Sequence, residues 1–214
     1  MSRDTVLSYM DRLVKEKRNI SDLGFQPEYI DEVLEEVKQL DSKMKPIFNT
    51  TQDGKDGKRK QYILSRAERE NGKIGTVLSK VRSELKKLYT KNWFITEVTL
   101  LKSEKGCKKQ ILHCDWQRWK EKWNTGLFPC SGMVALQDKS SIIIEKGQSE
   151  RTVLFAKGQL LVFKGNLFHR GAAYDEVNYR IHFTIGTERF EIPKNMVKQN
   201  LEIKQKKKRK KHIA

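Results

Sequence analysis

The 214-residue chain sets 44 Lys and Arg against 27 Asp and Glu, a formal net charge of +17 at pH 7. A hydrophobic content of 37% suffices for one folded core under a polar surface. No apolar run reaches the roughly 18 residues of a helical membrane span, and the charge-studded start MSRDTVLSYMDRLVKEKR lacks the apolar stretch of a signal peptide. The expectation is therefore a nuclear or cytoplasmic protein, neither secreted nor membrane-bound. Cys107, Cys114 and Cys130 form no CxxC pair and read as reduced thiols, not as a disulfide framework or a zinc knot. Without secretion the Asn49-Thr50-Thr51 sequon carries no glycan. Seven of the positive charges lie between Lys204 and Lys211, and removing those seven from +17 leaves +10 for the rest. Such a field favours polyanions. A solvated lysine-rich surface would look the same.

The front of the chain reads as helical. Met1 to Arg18 has a weak helical pattern, and Pro27 to about Lys45 a strong one through Ile30, Val33, Leu34, Val37 and Leu40. Pro27 suits the first helical turn, where Glu28, Asp31 and Glu32 complement the N-terminal dipole. Residues 49–60 (NTTQDGKDGKRK) are polar and aperiodic, and read as a loop. A second strong helix is expected from Gly75 to Tyr89. These apolar stripes suit packing on a sheet. After Lys91 the period becomes strand-like, with strands expected at Trp93–Leu101, Lys109–Asp115, Gly132–Gln137, Ser141–Glu145, Thr152–Phe155, Gln159–Phe163, Phe168–Ala173 and Tyr179–Thr187. Turn signals at Asp138-Lys139, Lys146-Gly147, Lys157-Gly158 and Lys164-Gly165-Asn166 separate several of them. The reading is α+β: helices over 1–92, a double-sheet jelly roll over 93–195, and a basic, unpacked tail over 196–214.

His113-Cys114-Asp115 is an HxD pair. On a strand, alternation would put His113 and Asp115 on one face, roughly 7 Å apart at the backbone. His169, at the start of a later strand, would complete two histidines and one carboxylate. Such a set on one face of a metal leaves three adjacent positions open, the arrangement of non-haem Fe(II) oxygenases. Each piece alone is common, and a lone strand histidine is more often structural. His212, in the basic tail, carries no such argument.

In Tyr179-Arg180-Ile181-His182-Phe183-Thr184-Ile185 the polar residues Arg180, His182 and Thr184 share one face and the apolar ones the other. A guanidinium facing a barrel interior needs an anion, which a protein carboxylate or a bound dicarboxylate would both supply.

With His113, Asp115, His169 and Arg180 in this order, the sequence resembles the 2-oxoglutarate- and Fe(II)-dependent oxygenases. The block KGQLLVFKGNLFHRGAAY (Lys157–Tyr174) is similar to that family's penultimate segment, a strand ending in Phe, a turn, then His-x-Gly. The resemblance spans roughly Trp93 to Glu188. It implies a double-stranded β-helix, the cupin-like jelly-roll barrel, with Fe(II) held by His113, Asp115 and His169. It also implies 2-oxoglutarate as cosubstrate anchored by Arg180, with Thr184 and His182 as further contacts, and O₂ as oxidant. No catalytic side chain is expected apart from those holding metal and cosubstrate.

The subfamily stays open. Nucleic-acid demethylases of the family carry a second arginine six residues after the first, where this chain has Gly186. Prolyl hydroxylases use a Lys anchor and a Gly-Gly-Glu-Thr-like turn, both absent here. The interleaved Trp116, Arg118, Trp119, Lys120, Lys122 and Trp123 offer base-stacking and phosphate-pairing groups, or a lid over the barrel mouth. The Lys206–Lys211 cluster reads as a nuclear localisation signal, a nucleic-acid arm or a solvated tail. Three readings follow: an oxygenase acting on nucleic acid or a protein side chain, an oxygenase of small molecules, or a non-catalytic nucleic-acid-binding barrel.

Overall fold

Strand alternation sorts the side chains into two environments and so builds two layers around one central sheet. The computed structural model describes residues 20–47, 57–88, 93–115, 130–146, 149–165 and 167–187. In chain order these form β1 (Ile20–Asp22), α1 (Pro27–Lys38), a 3-10 turn (Asp41–Lys43), β2 (Lys45–Pro46) and β3 (Arg59–Ile63). Then come α2 (Arg66–Glu70), α3 (Gly72–Leu88), β4 (Trp93–Ser103), β5 (Cys130–Ala135) and β6 (Ser140–Lys146). The last are β7 (Ser149–Phe155), β8 (Gln159–Lys164), β9 (His169–Gly171) and β10 (Asn178–Thr187). A seven-stranded sheet runs β1-β8-β5-β10-β4-β3-β2, and a three-stranded sheet runs β7-β6-β9. The pairings are antiparallel, the sheets do not close into a sealed barrel, and together they make a jelly roll.

One face of the large sheet carries Val98, Leu100, Val134, Leu160, Ile181 and Phe183, and α1 and α3 cover it with Ile30, Val33, Val37, Val77, Leu78 and Val81. Each fully buried side chain of this kind stabilises by about 1.5–3 kcal/mol. The other face packs Met133, Ala135, Leu161 and Phe163 against Ile142 and Phe155 of the small sheet. Arg180, His182, Thr99 and Ser103 point to that same side, where a cavity interrupts the apolar packing.

Several boundaries differ from the sequence reading. α1 stops at Lys38 rather than near Lys45. Pro46 disfavours helical backbone at Lys45, which instead pairs with Gln61. Ser65-Arg66-Ala67-Glu68 is a capping box that starts α2, an element the sequence reading lacked. α3 begins at Gly72, whose φ of 65° sets the turn between the two helices. Arg59 and Lys60, expected in a loop, open β3. β1, β2 and β3, all before residue 92, extend the same sheet as β4, β5, β8 and β10.

The expected strand Lys109–Asp115 does not form. The segment follows β9 through contacts at Cys107–Tyr174, Gln110–Gly171 and His113–His169, too widely spaced for a ladder. Between them the Gln110 side chain takes over: its Oε1 accepts from Gly171 N at 2.9 Å while Gln110 N donates to Gly171 O at 3.0 Å. A side-chain amide in place of a carbonyl lets the chain bulge and still satisfies the main chain of β9. The first helical pattern (1–18), Trp116–Trp123 and the tail after 195 lie outside the described residues.

Candidate active site

His113 and His169 lie side by side because their main chains exchange hydrogen bonds, His113 N to His169 O at 2.9 Å and the reverse at 2.7 Å. The ring centroids are 4.6 Å apart. Each ring is fixed in the same way: His113 Nδ1 lies 2.7 Å from Ile111 O, and His169 Nδ1 lies 3.0 Å from Leu167 O. A carbonyl only accepts, so each Nδ1 carries the hydrogen and each Nε2 keeps its lone pair. These Nε2 atoms stand 3.9 and 3.6 Å from Asp115 Oδ1. The three ligand atoms lie within 4.8 Å of one another.

The other carboxylate oxygen, Asp115 Oδ2, accepts a hydrogen bond from Ser131 Oγ and has His182 Nε2 at 3.7 Å. This leaves Oδ1 to face the two histidines. Burial, together with the neighbouring His169, pushes the His113 imidazole down to about 4. Burial alone would raise the Asp115 carboxyl, but the surrounding histidines hold it well below the usual carboxylate range. At neutral pH the cluster therefore offers a neutral imidazole beside a full carboxylate. Two imidazoles and one carboxylate on one side of a cation fit a divalent transition metal with open positions.

Arg180 enters from β10 and is only 3% exposed. Its Nη1 donates to Tyr174 Oη at 2.7 Å and its Nη2 to Ser103 Oγ at 2.6 Å. The guanidinium carbon sits 4.9 Å from the Tyr174 ring centroid. Its Nε is buried with no acceptor, and no carboxylate pairs with the group among the described residues. A buried cation with an orphaned donor fits a carboxylate ligand.

A cavity of about 170 Å³ joins the two groups. Strand register orders its wall: Arg180 stands opposite Leu101, His182 opposite Thr99 and Thr184 opposite Glu97. Along β10 the guanidinium end is thus separated from Glu97 by the His182–Thr99 pair. His182 lines the cavity beside Asp115 rather than beside Arg180. Thr184 is buried but is not part of the cavity wall, and its carbonyl accepts from Thr96 Oγ1 at 3.4 Å. Trp116, Arg118, Trp119, Lys120, Lys122 and Trp123 fall outside the described residues.

Sequence reasoning missed several wall residues. Arg59, 2% exposed, reaches the cavity from β3 and donates to Ser103 Oγ at 3.0 Å, Lys108 O at 2.8 Å and Ala172 O. Its only local signal was the alternation Arg59, Gln61, Ile63 at the end of a basic run. Ser103, Ser131 and Gln110 carried none.

No protein-family model matches the sequence, and no curated protein matches it. Solved structures do match the fold. A prolyl hydroxylase in complex with a hypoxia inducible factor oxygen degradation domain peptide fragment, from Trichoplax adhaerens, superposes with a TM-score of 0.63 at 14% identity, over 87% of this chain and 91% of that one. HygX from Streptomyces hygroscopicus, with nickel and 2-oxoglutarate bound, gives 0.58 at 11%, over 80% and 83%. The non-heme alpha ketoglutarate dependent epimerase SnoN from nogalamycin biosynthesis gives 0.61 at 12%, over 85% and 84%. This chain has the jelly-roll fold of 2-oxoglutarate- and Fe(II)-dependent oxygenases, with a His-x-Asp…His cluster inside it.

Proposed function

We propose that this chain is a non-haem Fe(II)- and 2-oxoglutarate-dependent dioxygenase. One observation carries the reading: the His113–Asp115–His169 cluster and a buried Arg180, without a carboxylate partner among the described residues, share one cavity. His113 Nε2, Asp115 Oδ1 and His169 Nε2 would hold Fe(II). When bound, iron and 2-oxoglutarate supply oxidation by O₂ coupled to decarboxylation to succinate and CO₂. The protein's own part is placement. Ile111 O and Leu167 O aim the imidazoles, and Ser131 holds one oxygen of Asp115 so that the other faces the metal. Arg180 takes a carboxylate at its end of the cavity, and Leu101, Met133 and Ile142 add apolar side chains to the same wall. The test is an anaerobic titration with Fe(II) and then 2-oxoglutarate, following the visible charge-transfer band. Arg180→Ala is expected to weaken 2-oxoglutarate binding by 10-fold or more (about 1.4 kcal/mol or more) and to leave Fe(II) binding intact. Loss of folding in that variant would instead assign Arg180 a structural role.

For the prime substrate we propose a macromolecule, nucleic acid or a protein side chain, to be hydroxylated or demethylated. The net charge of +17 supports this, since it favours a polyanion or an acidic surface. A small-molecule substrate has its own support in two structural neighbours, HygX with hygromycin B bound and SnoN, from nogalamycin biosynthesis, with nogalamycin RO. A succinate-release assay against polynucleotides, peptides and small metabolites separates the two. Turnover indifferent to every polymer offered assigns the small-molecule reading.

A further inference from the structure

We infer that Ser103 is a cosubstrate-binding residue, whose hydroxyl donates its proton to the distal carboxylate of 2-oxoglutarate beside Arg180. This rests on the function proposed above. β4 lies between β3 and β10, and each of these neighbours sends an arginine towards the same oxygen. Arg59 stands directly opposite Ser103 in register and reaches Oγ at 3.0 Å; Arg180, diagonally across, reaches it at 2.6 Å. A hydroxyl has two acceptor lone pairs and one proton, and guanidinium groups only donate. The two arginines therefore occupy both lone pairs and leave the Ser103 proton as an outgoing donor.

That proton has no acceptor among the described residues, although Ser103 is fully buried. An unmet buried donor is costly, so the site is built for an acceptor that arrives. Tyr174 provides the contrast on the other side of Arg180. Its hydroxyl accepts from Arg180 Nη1 and from Ser141 N at 2.9 Å, and donates to Ser141 O at 3.0 Å. It is saturated: it orients the guanidinium and satisfies the main chain of Ser141, with no donor left over for a ligand. The open donors at this end of the cavity include Ser103 O–H and the orphaned Arg180 Nε–H. Both call for an anionic acceptor, and Arg59 adds a second positive charge beside them. Gly171 keeps the corner clear, since a Cβ there would stand 2.8 Å from Arg59 Nη1 and 2.5 Å from Gln110 Oε1.

The experiment compares two keto acids of one chain length on the anaerobic, Fe(II)-loaded full chain. 2-Oxoglutarate has the distal carboxylate, whereas 2-oxovalerate ends in a methyl group. Ser103→Ala is expected to weaken 2-oxoglutarate at least about ten-fold and leave 2-oxovalerate and Fe(II) affinities unchanged. Ser103→Cys keeps similar bulk with a poorer donor and should shift the 2-oxoglutarate to 2-oxovalerate affinity ratio the same way, which covers the case of an unstable alanine variant. An unchanged ratio in the folded variants, with the wild type binding 2-oxoglutarate, overturns the role of Ser103 alone. A wild type that binds Fe(II) but not 2-oxoglutarate overturns the proposed function, and this inference with it.

Discussion

Asp115 is held at one oxygen and open at the other, and that asymmetry makes it useful. Ser131 Oγ donates to Oδ2, with His182 Nε2 at 3.7 Å, so Oδ1 is the atom presented to the two histidines. Ser131→Ala should therefore free the carboxylate to rotate without removing a ligand. Groups that orient metal ligands are worth about 10–100-fold in metal affinity, and a loss in that range is expected for Ser131→Ala by Fe(II) or Ni(II) titration. Asp115→Ala should abolish binding at the same concentrations. Equal metal affinity in Ser131→Ala and the wild type would mean that packing alone aims the carboxylate.

At the scale of elements, the site depends on strands held in register by close fits on the opposite face. Gly132 of β5 lies opposite Phe183 of β10, and a Cβ at Gly132 would come within 2.2 Å of the Phe183 ring. Gly132→Ala must displace Phe183 or the strand beside Arg180 and His182, so a loss of about 1–3 kcal/mol is expected from overpacking, read by denaturant unfolding. The capping box of α2 gives a pH prediction. Partial burial alone would raise the Glu68 carboxyl, but hydrogen bonds from Ser65, Lys43 and Tyr62 outweigh it and bring it down to about 2 from an ordinary 4.5. Between these values the unfolded chain binds a proton at Glu68 that the folded chain does not. Stability from this group is thus complete above 4.5 and is lost as pH falls through about 2. Thermal melts of Glu68→Gln should show a flatter dependence on pH across that window than the wild type.

The whole molecule is a helix-backed sheet whose polar cavity faces away from the helices, wrapped in an excess of positive charge. If that charge recruits a polymeric substrate, polynucleotide affinity should fall steeply as salt rises, because each neutralised phosphate releases counterions. Deleting residues 204–214 should weaken the binding broadly and make the salt slope shallower, in proportion to the seven charges removed. Binding that ignores salt would argue against recruitment by charge. Much of the architecture was legible beforehand, since periodicity is local: α1, α3 and most strands follow from apolar residues at helical or alternate spacing. The alternation through Tyr179–Ile185 also separated Arg180 and His182 from the core, because a buried sheet face leaves a two-residue rhythm in the chain itself. Local pattern alone could not show that the HxD segment would bulge, since Gln110 replaces a ladder bond with a side chain whose partner, Gly171, is 61 residues away. Nor could it show that Arg59, in a run of exposed-looking basic residues, would be buried against Ser103 and two carbonyls. The chain by itself determined which residue types were present and, along β10, which face they shared; tertiary structure alone decided which side chains shared the cavity and which donors stayed open, because those contacts join distant residues that no periodicity links.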